Sequence, residues 1–107
     1  MPASSLAALA IAAGFFTLNT AAAVAAANER GAELAAMCAS CHRLDGHDRG
    51  IPSIIGIDRQ TFIEAMAAFK SGARSSSIMH AVALQLNDGE IATLAAYLGT
   101  RATERKR

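Results

Sequence analysis

The residues most able to do chemistry in this chain lie together in five positions, CASCH, residues 38–42. They hold both cysteines, Cys38 and Cys41, and one of the three histidines, His42. Two thiols three residues apart can bond each other, share a metal ion, or anchor a larger group. A C-x-x-C pair alone serves redox disulfides and zinc sites equally well. A zinc site would recruit two more ligands, and His42, His47 and His80 have spacings that match no finger or ribbon. A thioredoxin-like redox pair would sit in a βαβ pattern, and no such pattern is present.

The histidine directly after the second cysteine decides among these. On a helix, residues three and four apart share a face, so Cys38, Cys41 and His42 all point to one side. A porphyrin presents two vinyl groups on one edge and an iron at its centre. Two thioether bonds would hold that edge, and His42 would reach the iron from one face. C-x-x-C-H is therefore read as a site of covalent haem attachment, with one haem c as the cofactor.

Electron transfer favours a filled sixth position, and a methionine thioether stabilises the ferrous state. Met37 abuts Cys38, and Met66 falls in an apolar helical stripe with Phe62 and Phe69, where core packing explains it. Met79 follows a polar stretch, ARSSSI, that reads as a loop able to fold over the second haem face. It is the expected distal ligand, with the adjacent His80 next in line. His47 stands too close to His42 along the chain to reach the opposite face.

The elements that would position these residues follow from pattern. The segment 28–42 carries Leu34, Cys38 and Cys41 at helical spacing, with Glu29 and Glu33 near its start. HDRGIPSIIG is a loop rich in turn formers. Asp58 caps a second helix with Phe62, Ala65, Met66 and Phe69 on one stripe, and Lys70 and Gly72 as stop signals. AVALQL fits a short helix or a strand. Asn87 and Glu90 form a capping pair for a last helix striped by Ile91, Leu94 and Leu98, which Gly99 should end, leaving RATERKR as a frayed tail. Helices without a convincing strand predict an all-α domain.

Composition sets the context. All nineteen charged residues lie at or beyond Glu29, so the first 28 positions carry none. Residues 6–18 are the most apolar part, and small residues ending in Ala25-Ala26-Ala27 follow the polar Asn19-Thr20 break. This is the layout of a secretory leader with an A-x-A cleavage site, although it lacks an N-terminal Lys or Arg. The division expected is a cleavable signal peptide at 1–27 and a mono-haem domain at 28–107, exported to the periplasm. The rival is an uncleaved anchor, since residues 6–27 could almost cross a hydrocarbon core of about 30 Å. Contact with a membrane is expected only in that case. A formal net charge of +1 gives no electrostatic basis for binding nucleic acid.

The wording GAELAAMCASCH, GIPSIIG, the loop with SIM, and EIATLAAYL resembles a class I cytochrome c over residues 31–98. That resemblance implies further roles. Pro52 would offer its carbonyl oxygen to the His42 imidazole, and Gly31 on the first helix would cross closely beneath Tyr97 on the last. Within the class, GIPSIIG, AFKSGARSSSIM and LNDGEIATLAAYL are similar to the cytochrome subunits of flavocytochrome c sulfide dehydrogenases. In that family a flavoprotein oxidises sulfide and hands electrons to the haem subunit. The resemblance implies a single-electron carrier, not itself an enzyme, with a flavoprotein partner. Its rivals are a general periplasmic carrier serving other redox proteins and a small haem enzyme with an open sixth position.

Overall fold

The computed structural model describes residues 3–48 and 50–105, with side chains from residue 19 to residue 101 apart from residue 49. The apolar run at 6–18 and the charged tail beyond residue 101 lie outside the described side chains. Among the described residues four helices follow one another: α1 (Ala3–Cys38), α2 (Arg59–Ser71), α3 (Ser77–Leu84) and α4 (Asp88–Arg105). No strand occurs among the described residues, which gives the all-α architecture that the periodicities imply. Among those residues no helix is long and apolar enough to cross a membrane.

α1 and α4 cross, and α2 packs against both α3 and α4. The buried core takes Leu34 and Ala35 from α1, Phe62 and Met66 from α2 and Ala83 from α3. Leu86 joins it from the α3–α4 connection, and α4 adds Ile91, Leu94, Ala95 and Leu98. Leu94 and Leu98, four apart on one face of α4, are its fully enclosed large side chains.

The α1–α4 crossing depends on Gly31. A Cβ placed there would stand 2.5 Å from the Tyr97 Cβ and 2.9 Å from its Cγ. The Tyr97 Cβ is fixed by the α4 backbone, so no rotamer change relieves the 2.5 Å clash. Arg30, next to this glycine, donates to Glu90 at 2.8 Å and to Glu33 at 3.0 Å. Glu90 also accepts from the Asn87 N–H at 3.0 Å while Asn87 Oδ1 accepts from the Glu90 N–H at 2.8 Å. The reciprocal cap of α4 is thus tied to α1. Gly31→Ala should destabilise the domain although alanine is the better helix former. The propensity gain is about 1 kcal/mol, whereas overpacking a close crossing costs about 1–3 kcal/mol or more. Thermal unfolding checks this, at about 4–8 °C for each kcal/mol in a domain of this size.

Several boundaries differ from the sequence reading. α1 runs without a break through the expected start near Glu29, so Glu29 and Glu33 do not occupy its first turn. Residues 19–30 are nevertheless exposed, and Gly31 is the first buried position among the described side chains. Gly99 does not end α4, which continues to Arg105. The helix here needs no left-handed residue, and Tyr97 receives both the Thr100 hydroxyl on its carbonyl and the Arg101 guanidinium over its ring. Gly72 does end α2, because there φ is +84°. Lys70 donates to the Leu86 carbonyl at 2.6 Å, across to the α3–α4 connection. α3 resolves the helix-or-strand choice for AVALQL in favour of helix, as far as Leu84. It also begins four residues before that segment, so Met79 lies in a helical first turn and not in an irregular loop. The reason is Ser76, whose side chain accepts from the Met79 N–H at 3.1 Å and caps the helix.

Candidate functional site

CASCH sits where α1 stops. Cys38 is the last residue of the helix, and residues 39–41 form a turn that keeps helix-like bonding. The Cys38 carbonyl accepts from the Cys41 N–H at 3.1 Å and from the His42 N–H at 2.8 Å. The backbone therefore completes one more turn, carrying Cys41 and His42 past the end of α1. Both cysteines are free thiols; Cys38 packs half-buried against the core and Cys41 is exposed. Burial pushes the Cys38 thiol up from its ordinary pKa, opposed by hydrogen bonding to the backbone.

After His42 the chain makes a compact loop back to α2. Asp45 Oδ1 accepts from the His47 N–H at 3.0 Å, and Asp48 Oδ1 accepts from the Gly50 N–H at 2.9 Å. These are side-chain turns of the kind Asp forms with the backbone two residues on. Arg43 pairs with Asp45, and that guanidinium, helped by the His47 N–H, holds the Asp45 carboxyl well below the usual carboxylate range. Gly50 has φ +89°, which a residue with a side chain rarely adopts, and this reversal precedes Pro52. Farther on, the Gly56 N–H donates to the Leu98 carbonyl at 3.4 Å and fastens the loop to α4.

The loop brings the Pro52 carbonyl oxygen to 2.7 Å from His42 Nδ1. A carbonyl only accepts, so Nδ1 must carry the proton. In the neutral imidazole Nε2 is then left with its lone pair free, which is the state a metal ligand requires. Leu44, Ile54, Ile55 and Ile57 of the same loop are partly buried against the core. These four aliphatic residues did not stand out in the sequence, where they have neither helical nor strand periodicity.

The methionines separate by burial. Met66 is 5% exposed inside the core, Met37 is 37% exposed on α1, and Met79 is half-buried at the edge of the core. His80, one residue on, donates from Nδ1 to the Phe69 carbonyl at 2.8 Å. His47 is on the exposed loop, with Nδ1 3.4 Å from Asp45 Oδ1. Among the described residues no three His, Cys, Asp or Glu side chains gather into a metal-ion cage.

These donors suit haem c. Two free thiols three residues apart match a porphyrin edge. The imidazole beside them has its unprotonated nitrogen available, and a half-buried thioether comes from a separate helix.

The Cytochrome c family model matches residues 28–102. The chain belongs to the cytochrome c family. Its cofactor is one covalently attached haem c, and Cys38 and Cys41 have the spacing that the attachment requires. This cytochrome is 42% identical over 72 residues to a thiosulfate dehydrogenase electron acceptor of Stutzerimonas stutzeri, covering 64% of this chain and 33% of that one. It is 38% identical over 71 residues to a cytochrome subunit of sulfide dehydrogenase of Chlorobaculum tepidum, covering 65% of this chain and 64% of that one. The match thus spans about a third of one relative and just under two thirds of the other.

Proposed function

We propose that the chain is an exported carrier of single electrons, with haem c joined to Cys38 and Cys41 and its iron held axially by His42 and Met79. When bound, the haem supplies one-electron chemistry between ferric and ferrous iron. The observation that carries this reading is the 2.7 Å bond from His42 to the Pro52 carbonyl. It fixes the tautomer and ring plane of His42 and makes the imidazole a stronger donor. With Met79 in the sixth position no substrate reaches the iron, so the chain carries electrons and is not itself an enzyme.

Export rests on the uncharged leader and on the point at which packing begins. Cleavage after Ala27 would remove only residues that lie before Gly31, the first buried position among the described side chains. The domain would then work in the periplasm, with a membrane tether only if the leader were kept.

Both named relatives work beside a dehydrogenase of a reduced sulfur compound. We take a flavoprotein sulfide dehydrogenase as the electron donor, and the thiosulfate relative favours a thiosulfate dehydrogenase as the second reading. Oxidising one sulfide to the zero-valent level releases two electrons, so the carrier must turn over twice for each. Ile51 beside Pro52 and Ile78 beside Met79 are 44% and 70% exposed, giving apolar surface next to both residues. With a net charge of +1, docking through such a surface outweighs long-range steering.

The test is reduction of the purified holoprotein followed by absorbance. Sulfide alone should reduce it slowly, and sulfide with a matching flavoprotein rapidly. Ile78→Glu should slow the second reaction without changing the haem spectrum. Equal rates with and without the flavoprotein would leave a general periplasmic carrier, and rapid reduction only with thiosulfate and its dehydrogenase would select the second reading.

A further inference from the structure

The first turn of α3 is held in an unusual way. Of its residues Ser77 and Ile78 face solvent, so the covered side chains are Met79 and His80. Residues 72–75, which join α2 to this turn, are exposed as well. Ser76 fixes where the helix begins through its bond to the Met79 N–H, but that contact is local and does not hold the turn to anything else. His80 does. Its half-buried ring donates from Nδ1 to the Phe69 carbonyl in the last turn of α2, at 2.8 Å. The same carbonyl takes the Gly72 N–H at 3.3 Å, and the Arg74 guanidinium lies 4.7 Å from the centre of the Phe69 ring. The acceptor is therefore itself well fixed. Such end-of-helix carbonyls lack a partner within their helix, which makes them good acceptors.

We propose that His80 is a positioning residue for Met79: its bond to Phe69 straps the first turn of α3 to the end of α2 and so keeps the methionine sulfur at the iron. The proposal rests on Met79 being the distal ligand. A methionine on a turn with two exposed residues can swing away in a local opening that leaves the rest of the domain folded. An external ligand that binds only the open form senses the population of that form directly. One net hydrogen bond shifts such an equilibrium by about tenfold. Met79 and His80 are successive on a helix and point in different directions, so the ring that bonds Phe69 and the methionine side chain leave the turn on different sides.

The experiment uses the ferric holoprotein and its sulfur-to-iron charge-transfer band in the near infrared, with imidazole as the external ligand. His80→Leu removes the donor. It should keep the band at low temperature, lose it well below the global unfolding temperature, and bind imidazole about tenfold more tightly than the unsubstituted protein. His80→Asn places an amide N–H near the position of Nδ1 and should restore both properties toward the original. Unchanged imidazole affinity in His80→Leu would overturn the strap, as would an asparagine variant that behaves like the leucine one. Absence of the band from the unsubstituted protein would remove the Met79 ligand and the strap with it. Loss of six-coordination in His80→Leu, with its retention in Met79→Ala, would make His80 the ligand itself and overturn both.

Discussion

Alanine in place of Cys38 or Cys41 is expected to leave little or no stable holoprotein, and replacing both should leave a chain that does not hold haem through denaturation. Domains of this size gain only about 3–5 kcal/mol from a single apolar core, and a bound group commonly supplies the rest. The core is correspondingly modest: among the described side chains, ten apolar residues are buried, of which two are alanines from α1 and α4 and one is the alanine of α3. Leu44, Ile54, Ile55, Ile57 and Met79 remain only partly covered around it. Covalent haem would bring a large apolar surface to these residues and could not dissociate. The two cysteines should differ in degree. Cys38 is packed against the core, so its loss removes packing as well as a thioether, while Cys41 is exposed and contributes the bond alone. Acid-acetone treatment should leave haem on the unsubstituted polypeptide and extract it from the double variant. Circular dichroism of the chain without cofactor should show much of the helix lost, as when a bound group's free energy is also folding free energy. Free extraction of haem from the unsubstituted protein would refute the attachment.

The features legible in the sequence were those written locally. The Asn87/Glu90 pair is three residues apart, and the stripe of Ile91, Leu94 and Leu98 is plain from a 3.6-residue period. Both appear in the structure as read. The Gly31–Tyr97 crossing and the Pro52–His42 contact are long-range, and resemblance to a family supplied them where periodicity could not. Two signals misled. Three serines in a row look like a loop, yet one of them, Ser76, caps an eight-residue helix too short to declare itself by period. Gly99 looks like a stop, but a glycine ends a helix only where the chain must turn left-handed, as at Gly72. The bonds from Lys70 to Leu86 and from His80 to Phe69 had no sequence signal at all. Each joins a polar side chain to a backbone carbonyl more than ten residues away, and every residue offers such a carbonyl.

Met79→Ala should remove the sulfur-to-iron charge-transfer band, open the ferric iron to small ligands and lower the reduction potential. The misplaced helix boundary alters the reason for choosing Met79 but not the choice. A capped first turn holds the residue more firmly than a loop would, and burial now discriminates among the methionines. Met66 is enclosed in the core with Phe62, and drawing it out to an iron would leave a cavity that typically costs about 2–5 kcal/mol. Met37 is on α1 immediately before Cys38, on the helix that ends in the attachment turn. Met79 comes from a different helix and is only partly covered. The thioether stabilises ferrous over ferric iron, so its loss moves the potential down by about 59 mV for each tenfold of that preference removed. Met66→Ala is the control. It should lower the unfolding temperature and leave the band in place, because its sulfur only fills space. A band that survives Met79→Ala and disappears in Met66→Ala would transfer the ligand role to Met66 and require the core to rearrange around the haem.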